Sequence, residues 1–146
     1  MKKLLFALIL PQLAGAIGGL VTAPAINNWY QSLTKPSFSP PNWIFGPVWI
    51  SLYLLMGLAW YLAWKKGAPK GLFLIHLGFN SLWSVLFFGL KSPGLALVEI
   101  IILWVLIAAV IVQFKRFSQL AAWLLLPYLL WVSFAGFLNL AIFRLN

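Results

Sequence analysis

Five apolar runs of spanning length dominate this sequence: approximately Leu4–Ile26, Trp43–Trp64, Gly71–Leu90, Leu95–Phe114 and Leu120–Phe143. A helix needs about 20 such residues to cross the hydrocarbon core of a bilayer. The runs therefore predict an all-α integral membrane protein, a bundle of five transmembrane helices in a single domain over residues 1–146. Their breaks fall where charge, Pro and Gly cluster, at Lys65-Lys66-Gly67-Ala68-Pro69-Lys70, Lys91-Ser92-Pro93-Gly94 and Lys115-Arg116. These short connections make sequential helices antiparallel neighbours. The first connection, residues 27–42, is long and rich in Pro and Trp. Composition agrees: the chain is 64% hydrophobic and 8% charged. A soluble domain is about 45–50% apolar and about 25% charged, and disorder requires low hydrophobicity. No internal repeat is visible, which argues against an inverted-repeat transporter.

The formal net charge is +9, with ten Lys and Arg against one acid, Glu99. The basic residues are scattered between the apolar runs, so we read them as topology signals and expect no nucleic-acid partner. Five spans put the ends on opposite sides. Lys2, Lys3, Lys65, Lys66, Lys70, Lys115 and Arg116 fall on one side; Lys35, Lys91 and Arg144 fall on the other. The positive-inside rule then expects a cytoplasmic N-terminus and an outer first loop and C-terminus, in a bacterial inner membrane. Met1-Lys2-Lys3, an apolar stretch and Ala14-Gly15-Ala16 have the look of a cleavable signal peptide. Against this, apolar residues continue to Ile26. Gly15 and Gly19 form a small-xxx-small pair that suits either packing within the bundle or a homodimer.

Most enzyme chemistry lacks its residues here. The absence of Cys removes thiolate nucleophiles and thiolate metal sites. Glu99 has no second carboxylate for acid–base hydrolysis. Ser84 and Ser133 have no Asp to complete a triad. Walker and GxGxxG loops are absent. Glu99 is costly inside a membrane, and we expect it to pair with Lys91, Arg144 or Lys35. His76, the one histidine, is not a metal site by itself. It reads better as a hydrogen-bonded bundle residue near the cytoplasmic end than as an axial haem ligand.

Binding residues are better represented. The first loop and the start of the second helix run Trp29-Tyr30-Gln31-Ser32-Leu33-Thr34-Lys35-Pro36-Ser37-Phe38-Ser39-Pro40-Pro41-Asn42-Trp43-Ile44-Phe45-Gly46-Pro47-Val48-Trp49. Each Pro fixes one φ angle and biases the residue before it towards extended backbone. One reading is a stiff lid, with aromatic faces for stacking and Lys35 for an anionic group. The other is an aromatic interfacial belt. The proline density favours the lid. In the third helix His76, Asn80, Ser84 and Phe87 share one side, and Trp83 flanks it. Such polar groups face a cavity or bond neighbouring helices; Trp83 favours the cavity. In the fifth helix Trp131, Ala135, Leu138 and Asn139 form a stripe in which Ala135 makes room for a flat ligand or for a close helix. Trp104 in the fourth helix is a candidate for the same wall.

At these residues the sequence resembles the translocator protein family, also called tryptophan-rich sensory proteins or peripheral benzodiazepine receptors. The family pattern Trp-Tyr-x-x-Leu-x-Lys-Pro-x-aromatic-x-Pro-Pro-x-Trp-x-Phe-x-x-Val-Trp runs unbroken from Trp29 to Trp49. Many members have Trp at the position of Phe38. Further matching segments are Asn80-x-x-Trp83 with Phe87-Phe88-Gly89, and Pro127-Tyr128-x-x-Trp131-x-x-x-Ala135-x-x-Leu138-Asn139. The resemblance implies a five-helix bundle, often dimeric, with a retained N-terminal helix and a pocket closed by the first loop. It implies binding of porphyrins and haem precursors, with a pocket at Trp43, Trp49, Asn80, Trp83, Trp104, Trp131, Ala135 and Leu138.

The chain departs from the family in two places. Leu138–Arg144 lacks the Tyr of the animal members' cholesterol motif, and the loose match at Leu58–Lys65 through Tyr61 is too weak to predict sterol binding. Some bacterial members degrade porphyrin in light through a pair of pocket tryptophans; Trp49 matches one, but Leu140 stands at the other. The expected function is thus a membrane tetrapyrrole-binding sensor or translocator with no obligatory cofactor. Light-dependent breakdown with Trp49 as electron donor, or secondary transport of small apolar ligands, are the alternatives. Lys35 is the expected partner of a propionate, and Asn80 and Asn139 the groups that orient polar edges. The expected ligand-binding set is completed by Trp29, Phe38, Phe45 and Phe87.

Overall fold

Each apolar run satisfies its own backbone, as hydrocarbon requires, and forms a helix. The computed structural model describes all 146 residues. Helix α1 spans Lys2–Ala25, α2 Phe45–Trp64, α3 Gly71–Ser84, α4 Pro93–Lys115, α5 Gln119–Leu124 and α6 Leu126–Leu145. Five continuous helical stretches are long and apolar enough to cross a membrane: Lys2–Tyr30, Asn42–Trp64, Gly71–Gly89, Pro93–Lys115 and Gln119–Leu145. Leu5, Ile9, Leu13, Ile17, Ile101, Val105 and Leu130 all point outward. In a bilayer these exposed apolar side chains meet lipid.

The termini of the elements follow local chemistry. Ser92 Oγ accepts from the Leu95 amide at 3.3 Å, with Pro93 in the first turn, so α4 begins there. Ser118 Oγ caps α5 the same way through Ala121 N, 3.2 Å. Pro127, lacking an amide hydrogen, divides the expected fifth helix into α5 and α6. Helix α2 ends at Trp64, and the turn after it closes on Gly67, whose φ of 96° suits a residue without Cβ. The first helical stretch does not stop at Ile26 as expected, although α1 proper ends at Ala25. A π-helical turn, Ile26–Tyr30, follows Pro24 and carries the coil on, so the non-helical loop starts only at Leu33. A second π turn, Val85–Gly89, closes α3.

Around the bundle the spans run first, second, fifth, fourth, third: α1 packs on α2 and α3, α3 on α4, α4 on α5 and α6, and α5 on α2. Gly57 brings α2 against α1. A Cβ there would lie 2.6 Å from the Ala7 carbonyl oxygen and 2.9 Å from Leu8 Cα. One end of the bundle is filled solid. Trp60 stacks on Phe73 at 4.7 Å and on Trp64 at 5.2 Å, and Phe73 stacks on Phe114 at 5.8 Å. Lys3 and Lys70 both lie over the Trp64 ring, 5.3 and 4.7 Å from its centroid, which gathers the lysine-rich segments at this end.

Candidate ligand cavity

Away from the aromatic plug the helices separate around a cavity of about 610 Å³. This lies within the range of small-molecule sites, about 300–1,000 Å³. Of its 29 lining residues 19 are hydrophobic and none is charged. Helix α2 contributes Phe45, Trp49 and Tyr53, with Trp43 at the turn before it. Four-residue spacing aligns Phe45, Trp49 and Tyr53 on one face. Helix α3 and its π turn contribute Asn80, Trp83 and Phe87; α6 contributes Trp131, Ala135, Leu138 and Asn139.

Packing among these rings fixes the wall. Trp83 stacks on Phe87 at 4.9 Å, Trp49 on Tyr53 at 5.5 Å, and Phe45 meets Trp131 edge-on at 6.0 Å. Trp83 Nε1 donates to Asn139 Oδ1 at 3.0 Å, and Asn139 Nδ2 donates to the Pro93 carbonyl at 2.9 Å. Asn139 thus locks the Trp83 indole to the start of α4. Small residues of α1, Gly15, Ala16 and Gly19, form the facing side. Trp43 is 72% exposed, Ile50 58% exposed, and Gly19 and Gly46 have open space at the Cβ position. The cavity is therefore open between α1 and α2.

Four expected binding residues lie elsewhere. Lys35 Nζ donates to the Tyr30 and Leu33 carbonyls at 2.9 and 3.4 Å, over the Tyr30 ring. It caps the extended end of the first helical stretch and is absent from the cavity wall. Trp29 packs on Phe87 and Phe88 and lines a smaller outer cleft with Lys91. Phe38 packs edge-on against Phe134, outside the cavity. Trp104 is 41% exposed and donates from Nε1 to Ser133 Oγ at 2.8 Å on the bundle exterior.

No residue from 31 to 41 lines the cavity. The loop is held instead at the chain's end, where Thr34 N donates to Asn146 Oδ1 at 3.0 Å and Asn146 Nδ2 donates to Thr34 O at 2.9 Å. Glu99 also departs from expectation. It is buried, and neither carboxylate oxygen has a hydrogen-bond partner. Its expected partners Lys91 and Arg144 are exposed, their long stems carrying the charge outward, and Lys35 is engaged at Tyr30. His76 does sit in a hydrogen-bonded interior position, between the Phe73 carbonyl and the Tyr128 hydroxyl.

Sequence reasoning missed Tyr53, Tyr30 and the α1 wall. Tyr53 was signalled by its spacing of four from Trp49. The α1 wall was signalled by Gly15 and Gly19.

Comparison with known proteins gives a consistent picture. The TspO/MBR family model matches residues 7–145. The chain is 47% identical to the tryptophan-rich protein TspO of Archaeoglobus fulgidus, over 97% of this chain and 96% of the relative. It is 41% identical to the human translocator protein, over 81% of this chain and 75% of the relative. It is 38% identical to the tryptophan-rich sensory protein of Cereibacter sphaeroides, over 97% and 92% respectively.

Proposed function

The chain belongs to the TspO/MBR family, and from that premise we propose that its cavity binds a tetrapyrrole, a porphyrin or haem precursor, in a sensory or translocating role. The observation that carries this reading is the wall itself: Phe45, Trp49, Trp83, Phe87 and Trp131 surround one apolar volume. A macrocycle offers a flat aromatic disc to such faces, and each aromatic contact adds about 0.5–1.5 kcal/mol beyond area burial. Because no cation lines the cavity, the ring is buried and its propionates stay at the exposed side, near Asn42 and Trp43. Lys35 is not assigned to them. The names of the relatives, translocator and sensory proteins, support a binding role over an enzymatic one.

For orientation, we assign the plugged, lysine-rich end to the cytoplasm of a bacterial inner membrane and the cavity to the outer half of the bundle. The test of function is a protoporphyrin IX titration of the detergent-purified protein in the dark, followed by Trp fluorescence. Trp49→Phe and Trp83→Phe run in parallel, with free tryptophan as the inner-filter control. Saturable quenching, weakened in both variants, supports the proposal. Quenching no stronger than that of free tryptophan rejects it. The stacked Trp49–Tyr53 pair favours one second reading, in which Trp49 donates an electron to a photoexcited ring. Illumination would then yield a product that Trp49→Phe does not form.

A further inference from the structure

Tyr53 and Asn80 line the cavity, and from them a line of buried hydrogen bonds leads to the single histidine. Tyr53 Oη donates to Asn80 Oδ1 at 2.6 Å. Asn80 Nδ2 donates to Tyr128 Oη at 2.8 Å. Tyr128 Oη lies 2.8 Å from His76 Nε2, and His76 Nδ1 lies 3.0 Å from the Phe73 carbonyl oxygen. These groups come from α2, α3 and α6, and His76, Asn80 and Tyr128 are at most 4% exposed.

The donor order is forced from one end. A carbonyl oxygen only accepts, so His76 Nδ1 carries the proton. In the neutral ring Nε2 is then a bare acceptor. Tyr128 gives its one O–H to Nε2 and accepts from Asn80 through its lone pairs. The Asn80 amide is thereby held with its nitrogen towards Tyr128 and its oxygen towards Tyr53. The cavity floor keeps one free amide N–H and the lone pairs of the Tyr53 hydroxyl. Without an acceptor at position 76, the Tyr128 hydroxyl is free to turn to Asn80 Oδ1. The amide can then rotate, and Tyr53 loses its acceptor.

We propose that His76 is a positioning residue for the cavity: through Tyr128 it sets which polar atoms of Asn80 and Tyr53 a ligand meets. The proposal rests on the reading of the cavity as a ligand site. It adds a residue that touches no ligand and lies one hydrogen-bonded side chain behind the wall.

Two measurements test it on the full-length protein in detergent. The first is nitrogen NMR of 15N-histidine-labelled protein, in which one ring gives the whole signal. We expect the Nδ1–H tautomer at neutral pH, with the Nε2 signal shifting in Tyr128→Phe. An Nε2–H tautomer, or an Nε2 signal indifferent to Tyr128→Phe, overturns the relay. The second is protoporphyrin IX affinity in the dark. His76→Leu and Tyr128→Phe should each weaken it roughly tenfold, the scale of one lost hydrogen bond. The double variant should lose no more than either single, and His76→Gln, whose amide oxygen can accept from Tyr128, should restore binding. Additive losses, or failure of the Gln variant to rescue, overturn it. If His76→Leu does not fold, Tyr128→Phe against His76→Gln decides. If the unaltered protein shows no saturable binding, the ligand reading fails, and the NMR measurement alone judges the relay.

Discussion

Lys35 is held by its own loop, its ammonium on the carbonyls of Tyr30 and Leu33. It is the one cation between the first two spans, which made it the natural partner for an anionic ligand. Its availability depends on where the first helical stretch stops, and six further helical residues place those carbonyls beneath it. Lys35→Ala should therefore leave protoporphyrin affinity within about twofold, the usual range for a substitution away from a site. A loss of tenfold or more in the dark titration would put Lys35 back in the site. Glycines separate just as sharply. Gly57→Ala drives a Cβ into α1 backbone at Ala7 and Leu8, whereas Gly19→Ala meets nothing within 4 Å. Thermal unfolding in detergent should show Gly57→Ala destabilised by about 1–3 kcal/mol, the cost of overpacking. Gly19→Ala, inside α1 with open space for its methyl, should unfold no lower than the unaltered protein and be up to about 1 kcal/mol more stable, because Ala is the better helix former.

At the scale of elements, the five spans were legible because hydropathy alone marks a membrane helix. Facing was legible only where polar residues break the apolar surface. Asn80, Ser84 and Trp83 on α3 and Asn139 on α6 declare a side, and all line the cavity. Helix α4 is apolar around nearly its whole circumference, and Glu99 marks a side: Leu103, four residues on, lies on the cavity wall, whereas Trp104 is turned to the exterior. The π turns after Pro24 and at Val85–Gly89 were hidden, because one extra residue per turn leaves no compositional trace. The prolines made the first loop look like a lid, but Asn146 ties it to the end of α6. Asn146→Ala removes both hydrogen bonds to Thr34. Hydrogen exchange or limited proteolysis should then accelerate in residues 33–41 and stay unchanged in the helices. Unaltered loop protection would show that Asn146 does not hold it.

The whole molecule is asymmetric along the membrane normal. Trp60, Trp64, Phe73 and Phe114 fill one end, and the aromatic cavity occupies the other. A solid plug beneath an open chamber suits binding or passage through the bundle's side better than a through-channel. The chain has no cysteine, so single-cysteine variants report topology without background. In intact cells a membrane-impermeant maleimide should label Ser37→Cys, on the first loop, and spare Lys66→Cys until the membrane is opened. The reverse pattern would invert our orientation. The most direct test of the central claim is to fill the cavity. Ala135 lies on its wall, and Ala135→Phe puts a ring where we propose the macrocycle sits. Protoporphyrin IX affinity, measured in the dark beside a thermal unfolding curve, should fall by roughly tenfold or more, about 1.4 kcal/mol, with folding retained. Undiminished affinity in a folded Ala135→Phe protein would mean that the tetrapyrrole does not occupy this cavity.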